Sequence, residues 1–178
     1  QALNVNGQRL RTKEEVAALR HGVDVFTDDQ LDKIYAAAPD RVRLWMLLGL
    51  NAGFTQAECL DLRWDEVAHD PPRIERVRGK SSIFGRFELW PETTSGLGWW
   101  ETTYGRSDEH VFIRDSGLQY SRQQISNAWK RLGEKVDPDG SCWLSFKFLR
   151  KTAAQMVRNE SDGEVAGVFL CHGQPVKS

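Results

Sequence analysis

The chain has 178 residues, of which 40% are hydrophobic and 28% are charged, and this composition excludes a disordered segment and favours a folded domain with a substantial core. Its longest apolar run, LWMLLGL, is much shorter than the roughly 20 residues that cross a bilayer, so we expect no membrane span, and we expect no secretory leader. The net charge of −1 does not by itself indicate a nucleic-acid partner, and three cysteines without metal-ligand spacing favour reduced cytosolic thiols and no zinc site.

Caps and apolar periodicity predict the first elements of the chain. Residues 1–24 are polar and charged and are interpreted as a linker or the end of an N-terminal region. Residues 26–40 predict a helix, because Thr27 and Gln30 have the spacing of a capping box. The nearly all-apolar stretch 41–53 predicts a buried central helix that ends at a glycine.

A small sheet is predicted between two groups of helices. Residues 55–64 predict a short helix, and the runs 73–79 and 83–90 predict two strands that flank a turn at Lys80. Residues 110–114 predict a third strand. Further helices are predicted at 91–103, 121–136, 145–159 and 162–173. These elements predict an α+β fold that is mostly helical, with the helices around a small antiparallel sheet.

The stretch SFKFLRKTAAQMVRN, residues 145–159, places three cations in the first turns of an amphipathic helix, with Ser145 as the expected N-cap. Lys147, Arg150 and Lys151 oppose the helix dipole there, since the dipole favours anions at a helix N-terminus. One interpretation is an ordinary solvated face with snorkelling side chains. The other is that the cations and the positive helix end converge on an anion such as phosphate.

The distribution of charge favours the second interpretation. Residues 120–158 contain eight basic and three acidic side chains, although the whole chain is slightly acidic. Binding to a nucleic-acid backbone requires such local basic surface, because each phosphate contact comes from a placed cation.

Three blocks of the sequence resemble the tyrosine recombinases of the phage integrase family. The segment LNAGFTQAECLDLRWDEV is similar to the first block of that family, KFLRKTAA is similar to the second, and VFLCHG is similar to the third. The blocks occur in the family's order and spacing, and a hairpin with a lysine lies between the first two. The resemblance covers residues 26–178 and implies the DNA breaking-rejoining fold of that family's catalytic domain. We therefore assign residues 25–178 to such a domain, truncated at its C-terminus.

The resemblance also implies the chemistry. Members of this family cleave and religate DNA through a 3′-phosphotyrosine intermediate and use no metal or other cofactor. Guanidinium forks stabilise the charge on the phosphate in the transition state. A lysine on a hairpin supplies the proton for the leaving 5′ oxygen.

Carried over to this chain, the resemblance makes Arg150 the second catalytic arginine and Lys147 an acid–base group or phosphate ligand. It likewise makes Lys80 the hairpin lysine and His172 the histidine of the third block. The expected DNA-binding side chains are Lys80, Arg122, Lys130, Lys147, Arg150 and Lys151.

Two positions depart from the family pattern. Thr55 stands where the first catalytic arginine is expected, and Arg43 or Arg63 is a candidate to compensate for it. The nucleophilic tyrosine is expected two to three helical turns beyond His172, where the chain has already ended. The three tyrosines present, Tyr35, Tyr104 and Tyr120, lie too early in the chain for that role.

The expected function is therefore site-specific DNA recombination or integration by a cytoplasmic, nucleoid-associated protein of bacterial or phage origin. The expected partners are double-stranded DNA and further copies of the protein in a synaptic tetramer. An alternative is a recombinase-derived DNA-binding module without catalysis, for which Thr55 is the main argument. A helix-turn-helix regulator is a weaker alternative, because it leaves the predicted sheet unexplained.

Overall fold

Six α-helices and one three-stranded sheet make up most of the chain that the structure, a computed structural model, describes: residues 24–79, 82–161, 165, 169 and 170. The helices are α1 Asp28–Ala37, α2 Asp40–Asn51, α3 Gln56–Leu60, α4 Pro91–Tyr104, α5 Arg122–Val136 and α6 Lys147–Glu160. The strands are β1 Val67–His69, β2 Pro72–Val77 and β3 Phe84–Glu88, and a 3₁₀ helix, Trp64–Glu66, precedes β1. The predicted α+β fold is confirmed. None of the described helices is long and apolar enough to cross a membrane.

Helix α2 forms the centre of the core, as its apolar sequence predicts. Nine of its residues are buried, and it packs against both α4 and α6. Glycines allow these close approaches. A β-carbon added at Gly49 of α2 would lie 3.0 Å from Leu149 of α6, and one added at Gly96 of α4 would lie 2.9 Å from Leu44 of α2. Helix α6 is therefore held directly against the end of the chain's most buried helix.

The sheet is antiparallel, with strand order β1–β2–β3, and β2 and β3 form the predicted hairpin. The prediction of a third strand at 110–114 is wrong, because this segment makes only isolated bridges with Arg63 and Gln119. Val111 and Phe112 are instead buried in the core, and Val111 donates a backbone hydrogen bond to Leu62. The third strand is β1, whose three residues are too few to show an alternating pattern.

Local capping determines where two of the helices begin. Thr27 and Ser121 form the capping boxes that start α1 and α5, and the prediction at Thr27 is confirmed. The prediction of Ser145 as N-cap is wrong, since α6 begins after Phe146, and the backbone oxygen of Ser145 accepts the hydrogen bond from Phe148. Phe146 is buried against Trp129, and this contact sets the start of the helix. The segment 1–24, interpreted as a linker or the end of an N-terminal region, lies outside the described residues except for Asp24, and most of the predicted helix at 162–173 lies outside them as well.

Candidate functional site

A sharp turn between α2 and α3 forms the centre of the candidate site. Gly53 has φ of +61°, a conformation that favours glycine, and a β-carbon there would lie 3.2 Å from the ring of Phe169. Thr55 follows as the N-cap of α3, and its side chain accepts the backbone N–H of Glu58 at 3.4 Å. Thr55 thus serves as a helix cap, a role that the family's arginine at this position does not fill in the same way.

The carboxylate of Glu58 receives four polar groups. Its Oε2 accepts both the backbone N–H and the hydroxyl of Thr55 at 2.8 Å. Its Oε1 pairs with Nε of Arg78, and the guanidinium of Arg150 lies 3.9 Å from Oε2. Burial by itself would raise the pKa of Glu58, but the Thr55 hydrogen bonds and the charges of Arg78 and Arg150 outweigh it, so the pKa lies below its usual value. Glu58 is therefore an anion at neutral pH.

Two arginines from different elements donate to the same two backbone oxygens. Arg150, on α6, donates to the backbone oxygen of Gly53 at 2.7 Å and to that of Leu170 at 2.8 Å. Arg78, directly after β2, donates to the Gly53 oxygen at 3.0 Å and also to the Leu170 oxygen. Both arginines also approach Glu58. We call this group, made of Arg78, Arg150 and Glu58, the arginine–glutamate cluster.

A further arginine fastens the hairpin to α3 from the same strand. Arg76 donates to the backbone oxygen of Glu58 at 3.1 Å and to the carboxylate of Asp61 at 2.7 Å. Because side chains alternate along a strand, Arg76 and Arg78 leave β2 on the same side. The sheet thus delivers both side chains to the short helix that begins at Thr55.

The cluster has a net positive charge and one accessible arginine. Two guanidinium groups against one carboxylate leave a net charge of +1. The side chain of Arg150 is 19% exposed, whereas that of Arg78 is only 5% exposed. Such a group can bind an anion at Arg150 and stabilise negative charge that develops on it, because planar guanidinium forks match the oxygens of a phosphate.

Lys147 and Lys151 lie beside Arg150 on one face of α6, as the spacing of three and four residues requires. Both lysines are exposed, and their ammonium groups lie 5.5 Å and 4.2 Å from the ring of Phe148. Both cations therefore lie over an aromatic ring on the exposed surface of α6. The interpretation of this stretch as a merely solvated face does not account for Arg150, because its guanidinium donates to the backbone oxygens of Gly53 and Leu170.

The remaining predicted DNA-binding residues that are described lie on α5. Arg122 and Lys130 are exposed, and Lys130 pairs with Glu134 at 3.7 Å. Ser126, midway between them on the same flank, accepts a hydrogen bond of 2.8 Å from Gln56 of α3. This flank of α5 therefore adjoins the helix that carries Glu58.

Two predicted catalytic residues, Lys80 and His172, lie outside the described residues. The described chain nevertheless reaches the cluster just before each of them, at Arg78 and at Leu170.

The two candidates to compensate for Thr55 are engaged elsewhere. Arg43 pairs with Asp40 at 2.8 Å, and Arg63 pairs with Glu109 at 2.6 Å. The arginine that meets Glu58 is instead Arg78, which the sequence reasoning missed. Its signal was the placement of two arginines at alternate positions of a strand, just before the hairpin lysine. In the described part of the chain, no group of three His, Cys, Asp or Glu side chains is arranged to hold a metal ion.

Solved structures of similar fold come from recombinases. The chain superimposes on XerA recombinase with a TM-score of 0.72 and 18% identity, and the match covers 85% of this chain and 57% of that one. For the catalytic core of lambda integrase the TM-score is 0.67 and the identity 18%, over 88% of this chain and 95% of the core. A Tn1549 transposon integrase solved with circular intermediate DNA matches with a TM-score of 0.71 and 11% identity, over 84% of this chain and 59% of that one.

The chain spans little more than half the length of XerA recombinase, and no curated protein sequence matches it. The sequence model of the phage integrase family matches residues 24–175, which include all three blocks identified above. With most of its length matched by that model, and with a fold shared with integrase catalytic cores, the chain belongs to the phage integrase family.

Proposed function

We propose that this chain is the DNA-cleaving domain of a site-specific tyrosine recombinase. The observation that carries the proposal is the arginine–glutamate cluster, in which two guanidinium groups and one carboxylate meet at the N-terminus of α3. A net positive charge fixed by backbone oxygens is suited to hold a phosphate diester in one orientation. Membership of the phage integrase family and the structural likeness to integrase cores support the same function.

In the proposed reaction a tyrosine hydroxyl attacks a DNA phosphorus, the bond to the 5′ oxygen breaks, and that oxygen takes up a proton. The tyrosine becomes joined to the 3′ phosphate, and the reverse reaction with a 5′ hydroxyl reseals a strand. Arg150 stabilises the charge on the phosphate oxygens, Lys80 supplies the proton, and Lys147 and His172 assist as acid–base groups or phosphate ligands. None of Tyr35, Tyr104 and Tyr120 is proposed as this nucleophile.

Double-stranded DNA is the proposed partner, and its proposed contacts are Lys80, Arg122, Lys130, Lys147, Arg150 and Lys151. We also propose self-association on DNA. Lambda integrase has been solved as a tetramer on a Holliday junction, and this chain matches that structure with a TM-score of 0.66 and 20% identity. A site of action at the nucleoid of a bacterial or phage-infected cell follows from the proposal.

The second candidate is a recombinase-derived module that binds DNA without cutting it. One specific observation favours it, namely the occupation of the first-arginine position by Thr55, which acts as a helix cap. In tested enzymes, loss of one donor to a developing oxyanion lowers kcat by roughly 10²–10³. A protein that only binds DNA does not need the donor that is missing at position 55, so its loss is compatible with this candidate.

The deciding experiment is formation of a covalent protein–DNA adduct by the full-length parent protein on a nicked suicide substrate that contains its own recombination site. The enzyme is expected to give an adduct that Arg150→Ala abolishes, while Arg158→Ala, at the exposed end of the same helix, leaves it unchanged. DNA binding without any adduct would favour the module.

Thr55→Arg refines the result. If the site already has sufficient positive charge, this substitution is expected to change the cleavage rate little. A gain on the order of 10²–10³ would contradict the module and would show that no other residue supplies the charge that is missing at position 55.

A further inference from the structure

The proposed function leaves open how the site works with Thr55 in place of an arginine. Without a second cation, Arg150 and Glu58 would form a neutral pair with little attraction for a phosphate. Arg43 and Arg63, the nearest arginines in sequence, are paired with other carboxylates. The described residue that restores the charge is Arg78.

We infer that Arg78 replaces the missing arginine as a positioning residue: it neutralises Glu58, so that Arg150 keeps its positive charge available for the scissile phosphate. This inference rests on the proposed function and deepens it. The contacts of Arg78 surround position 55 in the chain, since it binds the oxygen of Gly53 two residues before and the carboxylate of Glu58 three residues after. The side chain of Arg78 therefore extends from the hairpin to Gly53 and Glu58, the two residues that flank position 55.

Burial assigns the two arginines different tasks. Arg78 is 5% exposed and is bound by Glu58 and by both backbone oxygens, so it does not face an incoming DNA strand. Arg150 is 19% exposed, and its guanidinium lies 3.9 Å from Glu58, farther than a hydrogen bond. Arg78 thus pairs with the carboxylate, and Arg150 is the more exposed of the two arginines. Attraction between opposite charges is strong in such a partly buried setting, so this division decides the charge that DNA meets.

The same arrangement links the site to the hairpin turn. Lys80, the proposed proton donor, follows Arg78 by two residues in the chain. The backbone of Arg78 is itself fixed in the turn, because its N–H donates to Ile83 at 2.9 Å and its oxygen accepts from Ser82 at 2.7 Å. One residue therefore anchors the hairpin next to the lysine and balances the charge of Glu58.

The test is a set of DNA-binding measurements on the full-length protein, with a fluorescent duplex of about 30 base pairs at a temperature where every variant is folded. Arg78→Met is expected to weaken binding about ten- to a hundredfold, which is most of the loss produced by Arg150→Ala. If Arg78 acts through Arg150, adding Arg78→Met to Arg150→Ala has little further effect. Arg86→Met, an exposed arginine on β3 of the same hairpin, is the matched control and should bind as wild type.

Two rescues separate a charge effect from a purely structural one. Glu58→Gln should restore most of the affinity of Arg78→Met, because the cluster regains its net positive charge. Thr55→Arg should do the same from the family's position. Arg76→Met serves as a second control, since Arg76 is as buried as Arg78 but donates to the backbone oxygen of Glu58 and does not pair with its carboxylate. Glu58→Gln should improve the binding of Arg76→Met far less than that of Arg78→Met, because the cluster in Arg76→Met already has a net positive charge.

The pH profile adds a readout that a structural role would not move. Removal of Arg78 raises the pKa of Glu58, because a neighbouring positive charge is lost. The affinity of Arg78→Met for duplex DNA, divided by that of Arg86→Met at the same pH, should therefore increase as the pH falls from about 7. The increase should continue toward the pH at which glutamate ordinarily titrates, about 4.3. Glu58→Gln should remove this pH dependence.

The outcomes are distinguishable. If the wild-type protein binds duplex DNA with an affinity that does not depend on salt, the proposed function itself fails. If wild type binds with the expected salt dependence but Arg78→Met binds equally well, only the inference about Arg78 is refuted. It is also refuted if Arg78→Met binds weakly and neither Glu58→Gln nor Thr55→Arg restores binding. If Arg78→Met fails to fold, the double variant Arg78→Gln, Glu58→Gln replaces it and is compared with Glu58→Gln alone. A large loss of DNA affinity in the double variant would overturn the inference.

Discussion

Replacement of Glu58 by alanine is expected to destabilise the domain by about 3 kcal/mol, a value between those of buried and exposed ion pairs. Arg78, nearly buried, would lose its carboxylate, and removal of one partner from a buried pair costs roughly 3–5 kcal/mol. Glu58 itself is 20% exposed, which places the estimate at the low end of that range. The reciprocal cap with Thr55 would also be lost, and such a cap contributes about 1 kcal/mol.

This destabilisation should depend on pH in a defined direction. The pKa of Glu58 is lowered in the folded protein, so its carboxylate contributes stability above the unfolded-state pKa, and that contribution is lost as the pH falls through the folded-state pKa. The difference between wild type and Glu58→Ala should therefore shrink in acid. Urea unfolding followed by tryptophan fluorescence at neutral and at acid pH measures it.

The matched control is Glu109→Ala, which removes the exposed partner of Arg63 and should cost less than about 1 kcal/mol. A cost below about 1 kcal/mol for Glu58→Ala would refute the reasoning, because it would mean that Arg78 is stable without its carboxylate. A cost that is the same at neutral and acid pH would refute the assignment of an ionised, stabilising Glu58.

Two further predictions concern DNA binding and packing. Arg150→Ala should weaken duplex binding by roughly 1.5–3 kcal/mol. It should also reduce the slope of log affinity against log salt concentration by about one phosphate contact, as measured by fluorescence anisotropy at several salt concentrations. An unchanged slope would exclude Arg150 as a phosphate ligand. Gly133→Ala should destabilise the domain by about 1–3 kcal/mol or more, because its new methyl group would lie 2.4 Å from Trp143. Gly98→Ala, which meets open space in α4, should stabilise it by about 0.5–1 kcal/mol; thermal unfolding compares the two, and equal effects would contradict the packing described here.

Local patterns predicted much of the secondary structure. The capping box at Thr27 and the proline that opens α4 involve residues within one helical turn, so their hydrogen bonds and sterics can be inferred from neighbours in sequence. The all-apolar stretch of α2 likewise required a buried helix wherever the other elements lay. The resemblance to the tyrosine recombinases, which rested on three short blocks in order, is confirmed by the family assignment.

Errors arose where packing overrode a local pattern. Ser145 is a good N-cap residue, but the burial of Phe146 against Trp129 moves the helix start by one position. The β-branched run at 110–114 is extended, yet it lies among helices and has no neighbouring strand along its length. In both cases the deciding contact comes from a distant part of the chain.

By itself the sequence determined the capping box at Thr27, the buried central helix, the hairpin and the basic character of α6, because each depends on residues that are close along the chain. Only the tertiary structure decided which arginine meets Glu58. Arg150 and Gly53 are 97 residues apart, and Arg78 reaches the same oxygen from a different element. The alternation of Arg76 and Arg78 along the hairpin predicts that both side chains leave on one side, but it does not predict what they meet there. The choice depends on how the hairpin lies against α3, and that is set by the packing of the whole core.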